Sequence, residues 1–147
     1  MAGVAIGYQY GPTLIGTGVK TLVQIRPATN VRQVLREVSI SFQGNVTTDP
    51  PIKVSFVRQT SAGTMTTGSW SKLNTLDTET LQGAIARDAS AEPTTGEVLY
   101  QRLVHPQGSL TLPLSGFHCV GGQRYGIVID NTGGVDVKAS INIAAQE

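Results

Sequence analysis

One cysteine, two histidines, two methionines and one tryptophan in 147 residues leave little material for redox, metal or nucleophilic chemistry. With Cys119 alone, an internal disulfide is excluded, and a disulfide-built secreted scaffold is disfavoured. His105 and His118 are too few for a three-histidine metal site, so a cupin-type centre loses its ligands. Charge is also scarce, at 14% of residues with a formal net charge of +1. Arg26, Arg32, Arg36 and Lys53 are scattered rather than clustered, so the electrostatic footprint of a nucleic-acid binder is missing. No stretch approaches the roughly 18 apolar residues of a membrane helix. The start, Met-Ala-Gly-Val-Ala-Ile-Gly, lacks the basic region and apolar core of a signal peptide. The expectation is a chain made in the cytoplasm and soluble when first made, with neither nucleic acid nor membrane as partner.

What is present is β-patterning. Hydrophobic residues make up 39%, and Thr, Ser and 17 glycines fill the gap. Apolar residues recur in strand-length runs, which separates this composition from that of a disordered chain. The length fits one domain burying about 68–70% of its unfolded surface. From Arg124 to Ile143 the alternation is clearest. Tyr125, Ile127 and Ile129 alternate with polar or smaller residues, and Val135, Val137, Ala139, Ile141 and Ile143 alternate with Asp136, Lys138, Ser140 and Asn142. Side chains alternate sides along a strand, so each run presents one apolar face. Asp130-Asn131-Thr132-Gly133-Gly134 tolerates positive φ, and the spacing predicts a closing β-hairpin with Val137 and Ile141 in the core.

Upstream, Lys20–Arg26, Val34–Phe42, Ile52–Phe56, Val98–Val104 and Leu110–Leu114 read as strands. Val98, Tyr100 and Val104 fall on one side of theirs. Asn45–Pro51, Ser90–Gly96 and His105–Gly108 read as turns, and Thr60–Ser71 as a loop carrying Met65 and Trp70. Residues 73–87 fit a short helix through Leu73, Leu76, Leu81 and Ile85, or an extended segment; the extended reading is preferred. Residues 1–19, with Tyr8 and Tyr10 among many glycines, read as a flexible or extended N-terminal arm, and 20–147 as a single β-sandwich domain. A frayed terminus and an arm lying on a neighbour are both open. Seven or eight short strands without a required helix indicate an all-β antiparallel sandwich, jelly-roll-like in architecture.

The search for catalytic patterns is largely negative. Cys119 and His118 are adjacent, and neighbours on a strand face opposite ways, so activation of the thiol by His118 is not expected, and His105 could approach it only through the fold. Gly16-Thr17-Gly18 with Lys20 lacks the Gly-Lys-Ser/Thr ending of a phosphate loop. Asp130, Asn131 and Asp136 offer oxygens for calcium, but not at EF-hand spacing, and turn chemistry accounts for them. Asn45-Val46-Thr47 is a formal glycosylation sequon that reads as an ordinary loop. Glu92 and Glu97 are available as an acid–base pair for sugar hydrolysis, although nothing marks either as buried. An enzyme is not expected, and no cofactor is implied.

Ala91-Glu92-Pro93-Thr94, Val104-His105-Pro106-Gln107-Gly108 and Gly121-Gly122-Gln123-Arg124-Tyr125-Gly126-Ile127 carry a family resemblance. Val38–Phe42 and Val54–Thr60 add similar spacing, so about two thirds of the chain is covered. On these residues the chain resembles the small β-rich head decoration (cement) proteins of tailed phages and prophages. The resemblance implies a structural virion protein on the outer capsid surface. Its implied partners are the major capsid protein and other copies of itself, in a symmetric homo-oligomer with a trimer favoured. No catalytic residues come with that family. Tyr8, Tyr10, Met65 and Trp70 lie outside the matched motifs and are the expected subunit or capsid contacts, because aromatic side chains suit interfaces. On this reading, deleting residues 1–13 leaves the fold intact and weakens particle association. The alternative is a carbohydrate- or receptor-binding jelly-roll module of a phage tail or fibre, using Trp70 or Tyr100 against a sugar ring.

Overall fold

A computed structural model describes residues 3–44 and 50–147. These residues form twelve strands and no helix, in two six-stranded antiparallel sheets. The strands are β1 (Ala5–Leu14), β2 (Val19–Arg26), β3 (Gln33–Gln43), β4 (Ile52–Gln59), β5 (Thr64–Gly68), β6 (Ser71–Lys72), β7 (Ala84–Ala91), β8 (Thr95–Val104), β9 (Ser109–Leu112), β10 (His118–Cys119), β11 (Arg124–Asp130) and β12 (Lys138–Gln146). Sheet A runs β10-β3-β12-β1-β6, with β9 also paired to β3; sheet B runs β5-β7-β2-β11-β4-β8. The count exceeds the seven or eight expected because short pieces such as β6 and β10 carry too few residues to show a period. Of the Asn45–Pro51 turn, residues 45–49 and the sequon lie outside the described residues.

The alternating runs supply one shared core. Val38, Ile40, Ala139, Ile141 and Ile143 come from sheet A, and Ile52, Val54, Phe56, Ile127 and Ile129 from sheet B; all are buried in the same cluster. Two sheets with their apolar faces together make a sandwich-like arrangement. At one end Phe56 meets Phe117 edge-on at 5.2 Å and stacks on Tyr125 at 5.9 Å. The Tyr125 hydroxyl accepts the Val120 N–H at 3.1 Å, which gives its polar tip a partner beside the core.

The closing hairpin does not form. β11 pairs with β2 and β4, whereas β12 pairs with β1 and β3, so residues 131–137 cross from one sheet to the other. Val137 and Ile141 do enter the core, and Asp136, Lys138, Ser140 and Asn142 face outward as expected. Alternation sets which face is buried but says nothing about which strand lies alongside. The crossing is held by Asn131, whose side-chain N–H groups donate to Gly16 O and Val135 O, each at 2.8 Å. Asp136 Oδ1 accepts the Gly16 N–H at 2.7 Å.

Residues 1–19, expected as an arm, are extended but lie on this chain itself. β1 pairs along its length with β12, from Ala5↔Gln146 to Leu14↔Lys138. The register shifts between Tyr10 and Thr13, where Gly11-Pro12 interrupts the ladder. Ile6 is fully buried. In the 73–87 region the extended reading holds, with β7 beginning at Ala84 and no helix before it. Within the expected Thr60–Ser71 loop, β5 extends sheet B and β6 begins at Ser71.

Candidate functional site

The four expected contact residues have different positions. Trp70 is only 8% exposed and meets Tyr8 edge-on at 6.2 Å. Tyr8 and Tyr10 share the inward parity of Ile6 and pack against the core. The Tyr10 ring carries the Arg87 guanidinium 4.7 Å above its centre, and its hydroxyl donates to Thr13 Oγ1 at 3.5 Å. Burial pushes the Tyr8 hydroxyl up from its ordinary pKa, with Arg87 opposing the shift. Met65 lies half-buried on β5, at the edge of sheet B. The structure therefore brings Tyr8, Tyr10 and Trp70 together against the core, with Met65 on the neighbouring edge strand β5. A Trp70 this covered has no free face for a sugar ring.

The candidate catalytic groups are separated by the fold. Cys119 is fully buried while His118 points to solvent, and His118 Nδ1 lies 3.3 Å from the Arg32 guanidinium. Burial pushes the Cys119 thiol up to about 12, far from a reactive thiolate. Glu97 lies beside Arg58, with the nearest N···O distance 3.6 Å, whereas Glu92 is bound to Thr21. Lys20, next to the Gly16-Thr17-Gly18 turn, forms an ion pair with Asp88. Asp130 accepts the Thr132 N–H at 3.0 Å, and hydrogen bonding by Thr132, its side chain first and its backbone N–H next, holds the Asp130 carboxyl below its ordinary value. Among the described residues no group of three His, Cys, Asp or Glu side chains is placed to hold a metal ion.

The outer face of sheet B holds a built polar layer. Gln24 Nε2 donates to Gln59 Oε1 at 2.6 Å, and Gln59 Nε2 donates to Thr21 Oγ1 at 3.0 Å. The Thr21 hydroxyl donates to Glu92 Oε2 at 2.6 Å, while its backbone N–H lies within 2.9 Å of both Glu92 oxygens. Gly126 lies beneath Gln59: an added Cβ would meet the Gln59 amide at 2.4 Å. Glycine there lets two glutamines meet across β11. The β4–β5 and β7–β8 connections cover this layer. Thr60 N–H donates to Thr94 O at 2.8 Å and Thr94 N–H to Ser61 Oγ at 2.8 Å, and Gly63 at φ +60 brings its backbone close against Ala91 and Pro93. Thr21, Gln24 and Gln59 are consequently buried although they face away from the core.

Beside this covered half, the same face is open and apolar. Val98 is 53% exposed, Leu103 63% and Val19 54%. Val19, Val57, Val98 and Val128 line one shallow depression there, together with the Lys53 and Asp130 side chains, which lie 3.7 Å apart. The expected alignment of Val98 with Tyr100 and Val104 fails at a bulge. Val57 faces Val98 and the next β4 residue, Phe56, faces Tyr100, so Leu99 is the extra residue. Val98 is thereby turned outward, while Tyr100 and Val104 stay against the core. Unbroken alternation hides this patch in the sequence, and only the bulge reveals it.

Sheet A presents a different outer face. Gln9, Asn142, Ser39 and Thr111 lie in one rung across β1, β12, β3 and β9, and Ser140, Ser41 and Ser109 in the next. These side chains are small and uncharged. Above the Gly7↔Ala144 pair lies a groove of about 360 Å³, flanked by Leu73 and Glu37. Neither face combines a nucleophile with a base; both offer contact surface. Comparison with protein-family models, curated proteins and solved structures finds no match to this chain.

Proposed function

We propose that this chain is a structural virion protein, a decoration (cement) protein that binds the outside of a tailed-phage capsid shell and stabilises it. The major capsid protein and further copies of this chain, in a symmetric homo-oligomer with a trimer favoured, are its partners. The resemblance in the turn and strand-start motifs supports the identity. The observation that carries the role is the apolar patch of Val19, Val98 and Leu103 on the open outer face of sheet B. Patches of this kind, rimmed by polar groups, mark surfaces that meet other proteins. The Lys53 and Asp130 side chains form part of that rim.

We read the framework as a jelly roll. β1, β3, β9 and β12 lie in sheet A in the order β9-β3-β12-β1, and β2, β4, β8 and β11 lie in sheet B in the order β2-β11-β4-β8. Successive strands of the eight pass from one sheet to the other except β4 and β8, which are neighbours in sheet B, as in a jelly roll. Residues 60–94 then form an insertion between β4 and β8, and its strands extend sheet B through β7 and β5 and sheet A through β6. The role needs no catalytic group, only a rigid sandwich offering a broad, weakly charged surface.

The test is binding of the purified chain to shells that lack it, read by co-sedimentation. The wild-type chain pellets with shells in a saturable stoichiometry, and Val98→Lys with Leu103→Lys loses most of that binding while keeping its melting temperature. Absence of saturable binding by the wild-type chain, or full binding by the double variant, contradicts the proposal.

A further inference from the structure

We infer that Arg26 and Arg124 form a site for a carboxylate of an acidic peptide segment on a protein partner. The register between β2 and β11 pairs Ile25 with Tyr125 and Gln24 with Gly126, so the next positions, Arg26 and Arg124, lie opposite each other. Both are half-buried on the outer face of sheet B, beyond the glutamine layer. Like charges directly opposite across a sheet repel. Neither arginine belongs to an ion pair among the described residues. Their mutual field and the burial of Arg26 hold the Arg26 guanidinium below its ordinary pKa, with burial the larger cause.

The repulsion is fixed in place rather than relaxed. Arg26 Nε donates to Gln24 Oε1 at 2.6 Å, and its Nη2 donates to Ala62 O at 3.2 Å. Gln24 is itself fully buried and bound to Gln59, so the guanidinium is held by a rigid base. These bonds use the Nε and Nη2 edge of the guanidinium and not its Nη1. A carboxylate between the two groups relieves their repulsion and accepts charge-assisted hydrogen bonds from both. The pair lies half-exposed at the rim of the covered polar half, with small neighbours, since Ala84 pairs with Arg26 across β7 and Ala86 with Gln24. A half-exposed, cationic, preset rim is complementary to an acidic side chain on an extended partner rather than to an enclosed small ion.

The test uses the whole chain with isotope-labelled arginine, titrated with a capped tetraglutamate peptide, a capped tetraglutamine peptide and inorganic phosphate at matched ionic strength. The Nε–H signals of Arg26 and Arg124 move saturably with tetraglutamate and not with tetraglutamine. Arg124→Gln weakens that binding about tenfold, the loss of one charge-assisted contact, while Arg26→Lys keeps the charge, loses the fork and weakens it as well. Unchanged dispersion of the remaining signals verifies that both variants fold. No saturable shift with tetraglutamate, an undiminished response in Arg124→Gln, or saturable binding of phosphate alone overturns the inference. It does not rest on the shell reading: a chain that binds the acidic peptide but no shell sustains the one and sinks the other.

Discussion

Cys119 shows how position governs chemistry in this molecule. Its thiol, held near 12 by burial against an ordinary value of 9.0, stays protonated and shielded in the folded chain. Because the folded value is the higher one, the associated stability is complete below about pH 9 and declines as pH rises toward 12. Labelling with a thiol reagent at pH 8 is expected to be slow in the native chain and to track global unfolding. Rapid labelling without unfolding contradicts this burial. Gly126 makes the opposite point, that a missing side chain is also a structural element. Gly126→Ala drives a methyl into the Gln59 amide and is expected to cost about 1–3 kcal/mol in urea unfolding. Arg124→Gln, by contrast, removes a like-charge contact and is expected to raise stability by about 0.2–1 kcal/mol at low salt, with the gain shrinking as salt is added.

At the scale of the element, the β7–β8 turn is held chiefly by one side chain. β7 keeps register with β2 only as far as Arg87, after which Asp88 at φ 56 redirects the chain and Glu92 reaches back to Thr21. Glu92→Ala removes the acceptor for the Thr21 N–H and hydroxyl. The expected cost is about 1.5–3 kcal/mol, with faster amide exchange across residues 60–63 and 92–94. The strands themselves are readable where apolar and polar residues alternate, over Val38–Phe42 in β3, Ile52–Phe56 in β4 and Lys138–Ile143 in β12. Three features are not. Register between strands depends on partners far away in sequence, so the Asp130–Gly134 run looked like a hairpin turn when it leads a crossing between sheets. Bulges at Leu99 in β8 and at Arg36 in β3 flip the parity that a period of two assumes. Glycine-rich β1 has weak local strand propensity, and its pairing with β12 is a tertiary effect that overrides it. Deletion of residues 1–13, expected from sequence to spare the fold, is now expected to abolish cooperative unfolding, since it removes Ile6 and strips β12 of a partner.

At the scale of the whole molecule, the core accounts for the fold, and the proposed role rests on the outer faces. Sheet A turns out rungs of serine, threonine and amides; sheet B turns out a covered polar half and an open apolar half. Tyr8 and Tyr10 share parity with Ile6 and pack against the core, and Trp70 meets Tyr8 there. The proposed contact surface is the exposed Val19, Val98 and Leu103, which sequence alternation conceals. Substituting Val98 and Leu103 with lysine is expected to change stability by no more than about 0.5 kcal/mol, as surface substitutions do, while weakening association with shells. Electron microscopy of assembled particles carrying this chain is the most direct test of a shell-binding role. Copies arrayed over the capsid surface, with sheet B's open face against a neighbour, are the predicted result; copies only at the tail, or none on the particle, contradict it.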